Sequence, residues 1–271
     1  MANLFSVKDK VVVITGGTGV LGKTIAVHLA EEGAKVVILG RKAEVGNEIV
    51  KTICAKGGEA LFLATNVLDR NILEQNLADI LKAYGRVDAL LNAAGGNMPG
   101  ATIAPASDIF DLKIDEFQKV VDLNLTGTVL PTQVFLKPMT EQKSGAIVNF
   151  SSMAAFRPLT RVAGYSASKA GISNFTAFMA TEIAKKFGEG IRINAIAPGF
   201  FLTEQNRTLL TNPDERISSL EIFSSCPSIA LVVGVTRGVG NFWFSTIPSG
   251  KGKPQRVLLP ALYSLHALPA K

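Results

Sequence analysis

Tyr165 and Lys169 are four residues apart in the segment Tyr-Ser-Ala-Ser-Lys, and Ser152 precedes the tyrosine by thirteen residues. Residues i and i+4 of a helix share one face, so we expect the ammonium of Lys169 to lie close enough to the phenol of Tyr165 to favour its ionised form. A phenol with an ordinary pKa of about 10 exchanges protons at neutral pH only with such help. The spacing and the residue types therefore predict proton transfer.

A glycine-rich turn lies near the N-terminus, between an apolar run and a helical segment. The run Val-Val-Val-Ile-Thr at 11–15 precedes it, and glycines at positions 17, 19 and 22 satisfy the pattern G-x-G-x-x-G. The missing side chains let a pyrophosphate approach the backbone N–H groups at the positive end of the following helix. We therefore predict dinucleotide binding, although a tight strand-to-helix turn without a ligand has the same pattern. The predicted contacts are Gly16, Gly17, Thr18, Gly19, Val20, Leu21 and Gly22.

The end of the second predicted strand bears on the choice of dinucleotide. An acidic side chain there would bind the ribose 2′-hydroxyl of NAD, but the strand ends Leu-Gly and continues with Arg41 and Lys42. Two cations suit a 2′-phosphate better, so the sequence favours NADP as the cofactor, with NAD as the alternative. Arg41 and Lys42 would have no such role if they are only solvated loop charges.

Short β-branched runs alternate with longer helical segments from Lys10 to about Ala197. This pattern gives βαβ units with right-handed crossovers, and it predicts a single α/β domain of the Rossmann type, with a doubly wound parallel sheet and helices on both faces. Such sheets bind ligands at the carboxyl ends of their strands. The predicted strands are Val11–Thr15, Lys35–Gly40, Ala60–Thr65, Asp88–Asn92, Gly145–Ser151 and Ile191–Ala197. The predicted helices lie near 20–32, 44–56, 69–84, 114–137 and 164–188.

Composition and charge favour a globular protein and argue against a membrane protein or a nucleic-acid-binding protein. The chain has 271 residues, of which 47% are hydrophobic, enough for one large core. It has two cysteines and no apolar run of the roughly 20 residues that a membrane-spanning helix needs, so we expect a cytoplasmic protein without a membrane partner. The formal charge is +6, but residues 216–271 hold six basic side chains against one carboxylate. The nearly neutral remainder offers no basic stripe, which argues against a nucleic-acid partner.

The C-terminal part of the chain departs from this order. Beyond Glu215, acidic residues nearly vanish, serine and proline become frequent, and neither helix period nor strand alternation persists. We therefore divide the chain into a dinucleotide-binding domain with the catalytic residues at 1–215 and an atypical segment at 216–271. A flexible or disordered tail, a family-specific C-terminus and a shifted reading frame would each give this pattern.

Six landmarks in order resemble the short-chain dehydrogenase/reductase family, in its shorter, single-domain branch, over residues 10 to about 210. They are the turn at 15–22, Asn-Ala-Ala-Gly at 92–95, Asn124 in Asn-Leu-Thr-Gly, Ser152, Tyr165 with Lys169, and Pro198-Gly199 followed by Thr203. The resemblance implies an NAD(P)-dependent oxidoreductase that reduces a ketone to a secondary alcohol, or performs the reverse reaction, on a small molecule.

The resemblance also implies a role for each of four catalytic residues. Tyr165 protonates the oxygen of a ketone as hydride reaches its carbon, or removes that proton in the oxidative direction. Ser152 donates a hydrogen bond to the same oxygen, and Lys169 lowers the pKa of the phenol while it holds the nicotinamide ribose. Asn124 anchors a water molecule that passes protons to solvent. Donors placed in this way stabilise a developing alkoxide.

Further cofactor contacts follow from the same resemblance. They are Asn92, Ala93, Ala94 and Gly95 at the end of the fourth strand, Asn66 and Val67 beside the adenine, and Pro198, Gly199 and Thr203 near the nicotinamide carboxamide. The chain departs from the family at Asn66, where aspartate is usual, and at Val20, where glycine is common. The resulting glycine spacing matches the longer, sugar-nucleotide-modifying branch, so an epimerase or dehydratase with a transient hydride step remains an alternative.

Within the family, residues 92–98 and 198–206 resemble reductases of sugar acids, such as those that interconvert D-fructuronate and D-mannonate or 5-keto-gluconate and gluconate. The expected substrate contacts are Asn97, Gln205 and Asn206 for hydroxyls, and Arg157, Arg161 or Arg207 for a carboxylate. Each arginine taken alone is more often a surface charge. The helices at 114–137 and 164–188 have extensive apolar faces, and the resemblance implies that they pair across a two-fold axis into a homodimer or homotetramer. Burial inside the monomer explains part of the same pattern.

The C-terminal segment and the two histidines bear on the predicted activity. The seventh strand with which the family closes its sheet has no clear counterpart in 216–271, although 257–265 could supply a strand, so a dinucleotide-binding protein without turnover is a second alternative. His28 lies within the first helix and His266 in the atypical segment. Neither placement suits a metal site or a histidine-based nucleophile.

Overall fold

The computed structural model describes residues 6–157 and 159–199, together with the backbone of three strands further along the chain. Six parallel strands form the main part of the sheet: β1 (Val11–Thr15), β2 (Lys35–Gly40), β3 (Glu59–Ala64), β4 (Ala89–Asn92), β5 (Gly145–Phe150) and β6 (Ile191–Ala197). The helices are α1 (Val20–Glu31), α2 (Ala43–Ala55), α3 (Arg70–Tyr84), α4 (Ile114–Val121), α5 (Gly127–Gln142) and α6 (Ala163–Phe187). Short 3₁₀ turns lie at Pro99–Ala101, Ile109–Asp111 and Met153–Ala155.

The order of the strands confirms the predicted doubly wound α/β sheet. The chain adds β2 and β3 on one side of β1, and β4, β5 and β6 on the other. The direction of winding therefore reverses between β1 and β4. In doubly wound sheets, ligands bind in the crevice at the carboxyl ends of the strands where this reversal occurs.

The burial of its residues explains why the sequence of a central strand such as β1 is a nearly continuous apolar run. All five residues of β1 are buried, because helices cover both faces of the sheet. Successive side chains point to opposite faces. Val13 packs in the cluster that contains Phe135 of α5, and Ile14 packs in the cluster that contains Ile49 of α2.

The helix predicted at 114–137 was wrong in two respects. It is interrupted by a π-helical turn at Asp122–Thr126, which separates α4 from α5. It also continues to Gln142, beyond the predicted end at 137 and through Pro138, although proline removes a backbone donor and clashes with the preceding turn. Pro138 and Met139 are both buried, so packing compensates for the missing hydrogen bond. Elsewhere the predicted bounds differ by one or two residues; for example, β3 begins and ends one residue earlier than expected.

Three strands lie in the segment after residue 215, whose sequence shows neither helix period nor strand alternation. The strand β7 (Ile229–Thr236) pairs antiparallel with β6, β8 (Val239–Thr246) pairs with β7, and β9 (Arg256–Val257) pairs with β8. Their antiparallel pairing differs from the parallel pairing of β1 to β6. Only one residue of the predicted strand at 257–265 lies in β9, and the rest is outside the described residues.

Candidate active site

The glycine turn leaves β1 at its carboxyl end and leads directly into α1. Gly16 has a φ of +64°, and a Cβ atom at this position would lie 2.7 Å from backbone atoms of Ala94. The Oγ1 atom of Thr15 accepts a hydrogen bond of 3.2 Å from the N–H of Ala94, which joins the loops after β1 and β4. Only glycine combines the positive φ with so close an approach.

The first turn of α1 is suited to an anion. Gly19 is the N-cap residue, no side chain caps the helix, and its first turn has no acidic residue. The uncapped N–H groups carry the positive end of the helix dipole. Together with the close-packed glycines they fit the pyrophosphate of a nicotinamide dinucleotide. Val20 lies where the resemblance led us to expect glycine. Its side chain is 58% exposed, so it does not crowd the turn.

The end of β2 has no room for an acidic side chain. A Cβ atom at Gly40 would lie 2.7 Å from Oγ1 and 2.8 Å from Cγ2 of Thr18, which belongs to the glycine turn. Arg41 and Lys42 follow and are both exposed. This end of the crevice therefore offers two cations and no carboxylate from the strand, which is compatible with the predicted contact to a 2′-phosphate.

α6 brings Tyr165 and Lys169 together, as their spacing predicts. The Nζ atom of Lys169 lies 5.5 Å from the centroid of the Tyr165 ring, and it donates a hydrogen bond of 2.7 Å to the C=O of Phe150, the last residue of β5. Ser152 follows this strand, and its hydroxyl hydrogen bonds to the phenol of Tyr165. The same Oγ accepts a hydrogen bond of 3.1 Å from the N–H of Ala154, which orients it.

Burial shifts the pKa of both Tyr165 and Lys169. Burial raises the pKa of Tyr165 above its ordinary value of 10.0, and the hydrogen bond from Ser152 opposes this only in part. Burial also lowers the pKa of Lys169 from 10.5 to about 8. Desolvation thus has the largest effect on the phenol pKa. The Nζ of Lys169 is directed to the C=O of Phe150, and its role in lowering the phenol pKa stays a prediction. At neutral pH Tyr165 is in its protonated form.

Asn124 lies in the π-helical turn and is fully buried. Its Oδ1 accepts a hydrogen bond of 3.1 Å from the N–H of Gly96, and its Nδ2 donates to the C=O of Gly96 at 2.7 Å and of Val120 at 2.8 Å. A Cβ atom at the exposed Gly95 would lie 2.6 Å from Oδ1 of Asn124 and 3.3 Å from Nζ of Lys169. Gly95 thus lies where Asn124 and Lys169 converge. The amide holds the loop after β4, and its role as a water anchor stays a prediction.

Asn92 directs its side chain into the core. It is 1% exposed, and its Nδ2 donates hydrogen bonds of 2.9 Å to Oδ1 of Asn149 and to Oγ1 of Thr132. The Nδ2 of Asn149 in turn donates at 2.9 Å to Oγ1 of Thr176. We call Thr132, Asn92, Asn149 and Thr176 the buried amide ladder. Because the side chain of Asn92 is engaged there, a cofactor contact at this position would come from its backbone.

The sequence analysis missed Asn149, Thr132 and Thr176. Asn149 lies opposite Asn92 in the register of β4 and β5. A polar residue within an apolar strand was the available signal, because a buried amide needs a partner on a neighbouring element. The two threonines gave no such signal, since threonine is common in helices that pack against a sheet.

The predicted adenine contacts follow β3. Asn66 is exposed, and its Oδ1 accepts a hydrogen bond of 3.1 Å from the N–H of Leu68, which stabilises the turn. Val67 is buried, and its Cγ2 would lie 2.9 Å from a Cβ atom at Gly127. The side chain of Asn66 is accordingly at the surface, whereas Val67 packs against the start of α5.

The predicted nicotinamide contacts are only partly within the described residues. The C=O of Pro198 accepts a hydrogen bond of 3.1 Å from the N–H of Met153, so the chain after β6 lies beside the segment that carries Ser152. Gly199 is half-buried next to it. Thr203 lies outside the described residues.

The predicted substrate contacts have mixed outcomes. Gln205, Asn206 and Arg207 lie outside the described residues. Asn97 donates a hydrogen bond of 2.6 Å to Oγ1 of Thr102, and Arg157 is exposed. The Nε of Arg161 donates at 2.7 Å to the C=O of Ile103, so this arginine has a partner in the protein that the sequence did not indicate.

Membrane-spanning helices and clusters of metal ligands are both absent from the described part of the chain. None of its helices is long and apolar enough to cross a membrane. No group of three or more His, Cys, Asp and Glu side chains in it is arranged to hold a metal ion. His28 is exposed on α1, with its Nδ1 4.0 Å from a carboxylate oxygen of Glu31.

Known proteins similar to this chain are oxidoreductases. The family model for short chain dehydrogenase matches residues 10–214. UxuB, an uncharacterized oxidoreductase of Bacillus subtilis, is 48% identical over 218 residues, which are 78% of this chain and 77% of that protein. A 3-oxoacyl-[acyl-carrier-protein] reductase of Synechocystis is 32% identical over 244 residues, or 85% and 95% of the two chains. The crystal structure, with bound NAD, of a Haemophilus influenzae protein provisionally named a D-mannonate oxidoreductase has a TM-score of 0.74 and 37% identity, and the match covers 82% of each chain. With this match and a site that fits a nicotinamide dinucleotide, the chain belongs to the short-chain dehydrogenase family of oxidoreductases.

Proposed function

We propose that this oxidoreductase interconverts a ketone and a secondary alcohol on a sugar acid, with D-fructuronate and D-mannonate or 5-keto-gluconate and gluconate as the first candidates. NADP is the preferred cofactor in this proposal. The observation that carries it is the convergence of Ser152, Tyr165 and Lys169 at the ends of β5 and α6, next to the exposed backbone of Gly95.

The nicotinamide, when bound, exchanges a hydride with the carbonyl carbon. The residues of the chain act on the oxygen. Because the pKa of Tyr165 is raised, its phenol holds a proton at neutral pH and donates it to the oxygen during reduction. Ser152 donates a hydrogen bond to the same oxygen and stabilises its developing negative charge. Lys169, with a pKa of about 8, keeps most of its charge at pH 7 and places a cation beside the phenol.

These protonation states favour reduction at neutral pH. Oxidation of an alcohol requires Tyr165 as the phenolate, and the buried site disfavours that form. We therefore expect the oxidative rate to increase with pH above neutrality, while the reductive rate stays level or falls.

The sugar-acid assignment is supported by the name of the Haemophilus protein and by the exposed cation of Arg157. Arg157 lies between Ser152 and Tyr165, in the segment that joins β5 to α6, and a guanidinium binds a carboxylate in two-pronged geometry. An acyl thioester is the competing substrate, since the Synechocystis relative is named as a reductase of 3-oxoacyl groups.

The choice of NADP is supported by Arg41, Lys42 and the absence of space for a carboxylate at Gly40. The NAD in the Haemophilus crystal structure supports the opposite choice. Titration of the protein with NADH and NADPH, followed by the change in nicotinamide fluorescence, distinguishes them. NADPH is expected to bind more tightly, and equal affinities would remove this part of the proposal.

The reaction is tested by absorbance at 340 nm with a panel of ketones and alcohols. Saturable turnover of a sugar acid is expected, and Tyr165→Phe should lower kcat by about 10²- to 10⁴-fold while it still binds the dinucleotide. Turnover confined to acyl thioesters would contradict the sugar-acid assignment. Undiminished turnover in Tyr165→Phe would contradict the proposed role of the phenol.

We also propose that the protein forms a homodimer or homotetramer through α5 and α6. Phe178 and Phe187 of α6 are exposed, Phe178 to 59%, and pairing would remove such side chains from water. Light scattering coupled to size-exclusion chromatography should give a multiple of the 28.7 kDa chain mass. A monomeric mass at micromolar concentration would contradict this proposal.

A further inference from the structure

The loop at 93–113, between β4 and α4, is fixed at two points to the elements that carry the catalytic side chains. At its start, Gly96 exchanges hydrogen bonds with Asn124. Further along, the N–H of Ile103 donates at 3.0 Å to the C=O of Arg161, and the Nε of Arg161 donates at 2.7 Å to the C=O of Ile103. Both attachments are reciprocal, so the loop is held on the side of the π-helical turn and on the side of α6.

Arg161 has an unusual backbone conformation. Its φ is +71°, in the left-handed region that side chains other than glycine, asparagine and aspartate seldom adopt. Such a conformation persists where neighbouring contacts compensate for it. The paired bonds to Ile103 are contacts of this kind. The residue lies four positions before Tyr165, in the segment that begins with Ser152.

We propose that Arg161 is a positioning residue that holds the 93–113 loop against the segment from Ser152 to Tyr165 and so shapes the substrate side of the site. It acts through the loop and does not touch the reacting atoms. Without its guanidinium the loop loses the hydrogen bond from Nε to the C=O of Ile103, so a substrate has to order the loop when it binds. The cofactor contacts predicted in this loop, Ala93 to Gly95, precede the attachment of Gly96 to Asn124, which does not involve Arg161, so we expect dinucleotide binding to be unaffected. The kinetic part of this inference rests on the proposed function, and the structural part does not.

Three variants separate the possible roles of Arg161. Arg161→Gly accepts the positive φ without strain and keeps the carbonyl that Ile103 binds, so it removes only the side chain. Arg161→Lys keeps the positive charge and loses the Nε donor. Lys143→Gly is the matched control, because Lys143 is also a cation with a positive φ, 54°, but it is exposed and precedes the amino end of β5, whereas Ser152 follows the carboxyl end.

Hydrogen–deuterium exchange and steady-state kinetics are measured on all three variants. In Arg161→Gly we expect peptides within 97–112 to exchange about tenfold faster and the substrate KM to rise about tenfold, with kcat and the dinucleotide affinity within twofold of wild type. The KM change should be the same for a sugar acid and for a neutral ketone, and Arg161→Lys should not restore it. Lys143→Gly should match the wild type in both measurements.

Loop exchange in Arg161→Gly at the wild-type rate would overturn the proposal, whether or not the enzyme turns over a ketone. A KM increase confined to the sugar acid and reversed in Arg161→Lys would also overturn it, because the guanidinium would then bind the substrate carboxylate directly. A wild-type protein without ketone turnover would contradict the proposed function, while faster loop exchange in Arg161→Gly would still support the role of Arg161 in holding the loop.

Discussion

Replacement of Lys169 by methionine should change how the stability of the protein depends on pH. The Lys169 side chain is buried, and its pKa is lowered from 10.5 to about 8 because the surroundings disfavour the ammonium. In the unfolded chain the amine regains its ordinary pKa. Between pH 8 and 10.5 the unfolded chain therefore binds more protons than the native protein, so native stability rises with pH in this window.

The size of the effect follows from the two pKa values. Below pH 8 both states carry the ammonium, and its burial destabilises the native state by about 3 kcal/mol. About 2 kcal/mol of this is recovered by pH 9.5. Methionine is of similar length and carries no charge, and its missing hydrogen bond to Phe150 has the same cost at every pH. The wild type should therefore gain about 2 kcal/mol relative to Lys169→Met between pH 7 and pH 9.5.

Urea unfolding followed by circular dichroism at several pH values from 7 to 9.5 measures this difference directly. Comparison of wild type with variant cancels the titration of groups that both contain. Lys51→Met, which removes an exposed lysine from α2, controls for the loss of one amine. If the wild type and Lys169→Met differ by the same free energy at every pH, the argument from burial is refuted.

Two other substitutions test features of the crevice and the core. Gly40→Asp should weaken the binding of both dinucleotides, because the new side chain contacts Thr18. In the double variant Thr18→Ala/Gly40→Asp, which removes this contact, the affinity for NADPH should fall at least about tenfold relative to that for NADH. An unchanged cofactor preference in the double variant would contradict this. Asn149→Leu should lower the free energy of unfolding by about 1–3 kcal/mol, because it leaves a buried N–H of Asn92 without an acceptor. Lys51→Met, at an exposed position, is the control. If Asn149→Leu lowers the free energy of unfolding no more than this control does, the ladder is not stabilising.

Much of the fold follows from local pattern. The apolar runs of β1, β2 and β6 are flanked by helical periods, and their bounds agree with the prediction. β1 and β2 are buried on both faces, whereas β6 alternates between buried and more accessible residues. The interruption at Asp122–Thr126 has no such signal. Whether a helix tightens or widens by one residue depends on what it packs against, and Pro138 is tolerated within α5 for the same reason.

The candidate catalytic residues are identified by their types and spacing, but their interactions are not. The i, i+4 relation predicts that Tyr165 and Lys169 share a helix face. It does not predict that β5 ends at Phe150 with a carbonyl in reach of Nζ, nor that burial would outweigh the charge of the lysine at the phenol. Likewise, the pairing of Arg161 with Ile103 joins residues far apart in the sequence, and only the tertiary structure determines it.

The buried amide ladder has a consequence for how this chain evolves. An aliphatic residue such as Ile147 can exchange one branched side chain for another of similar volume at little cost. A residue of the ladder does not tolerate such an exchange, because any apolar replacement leaves a buried donor or acceptor of its neighbour without a hydrogen-bond partner. In homologous sequences Asn149 and Thr176 should accordingly change together. The residues of the buried amide ladder should be substituted more slowly than the aliphatic residues around them.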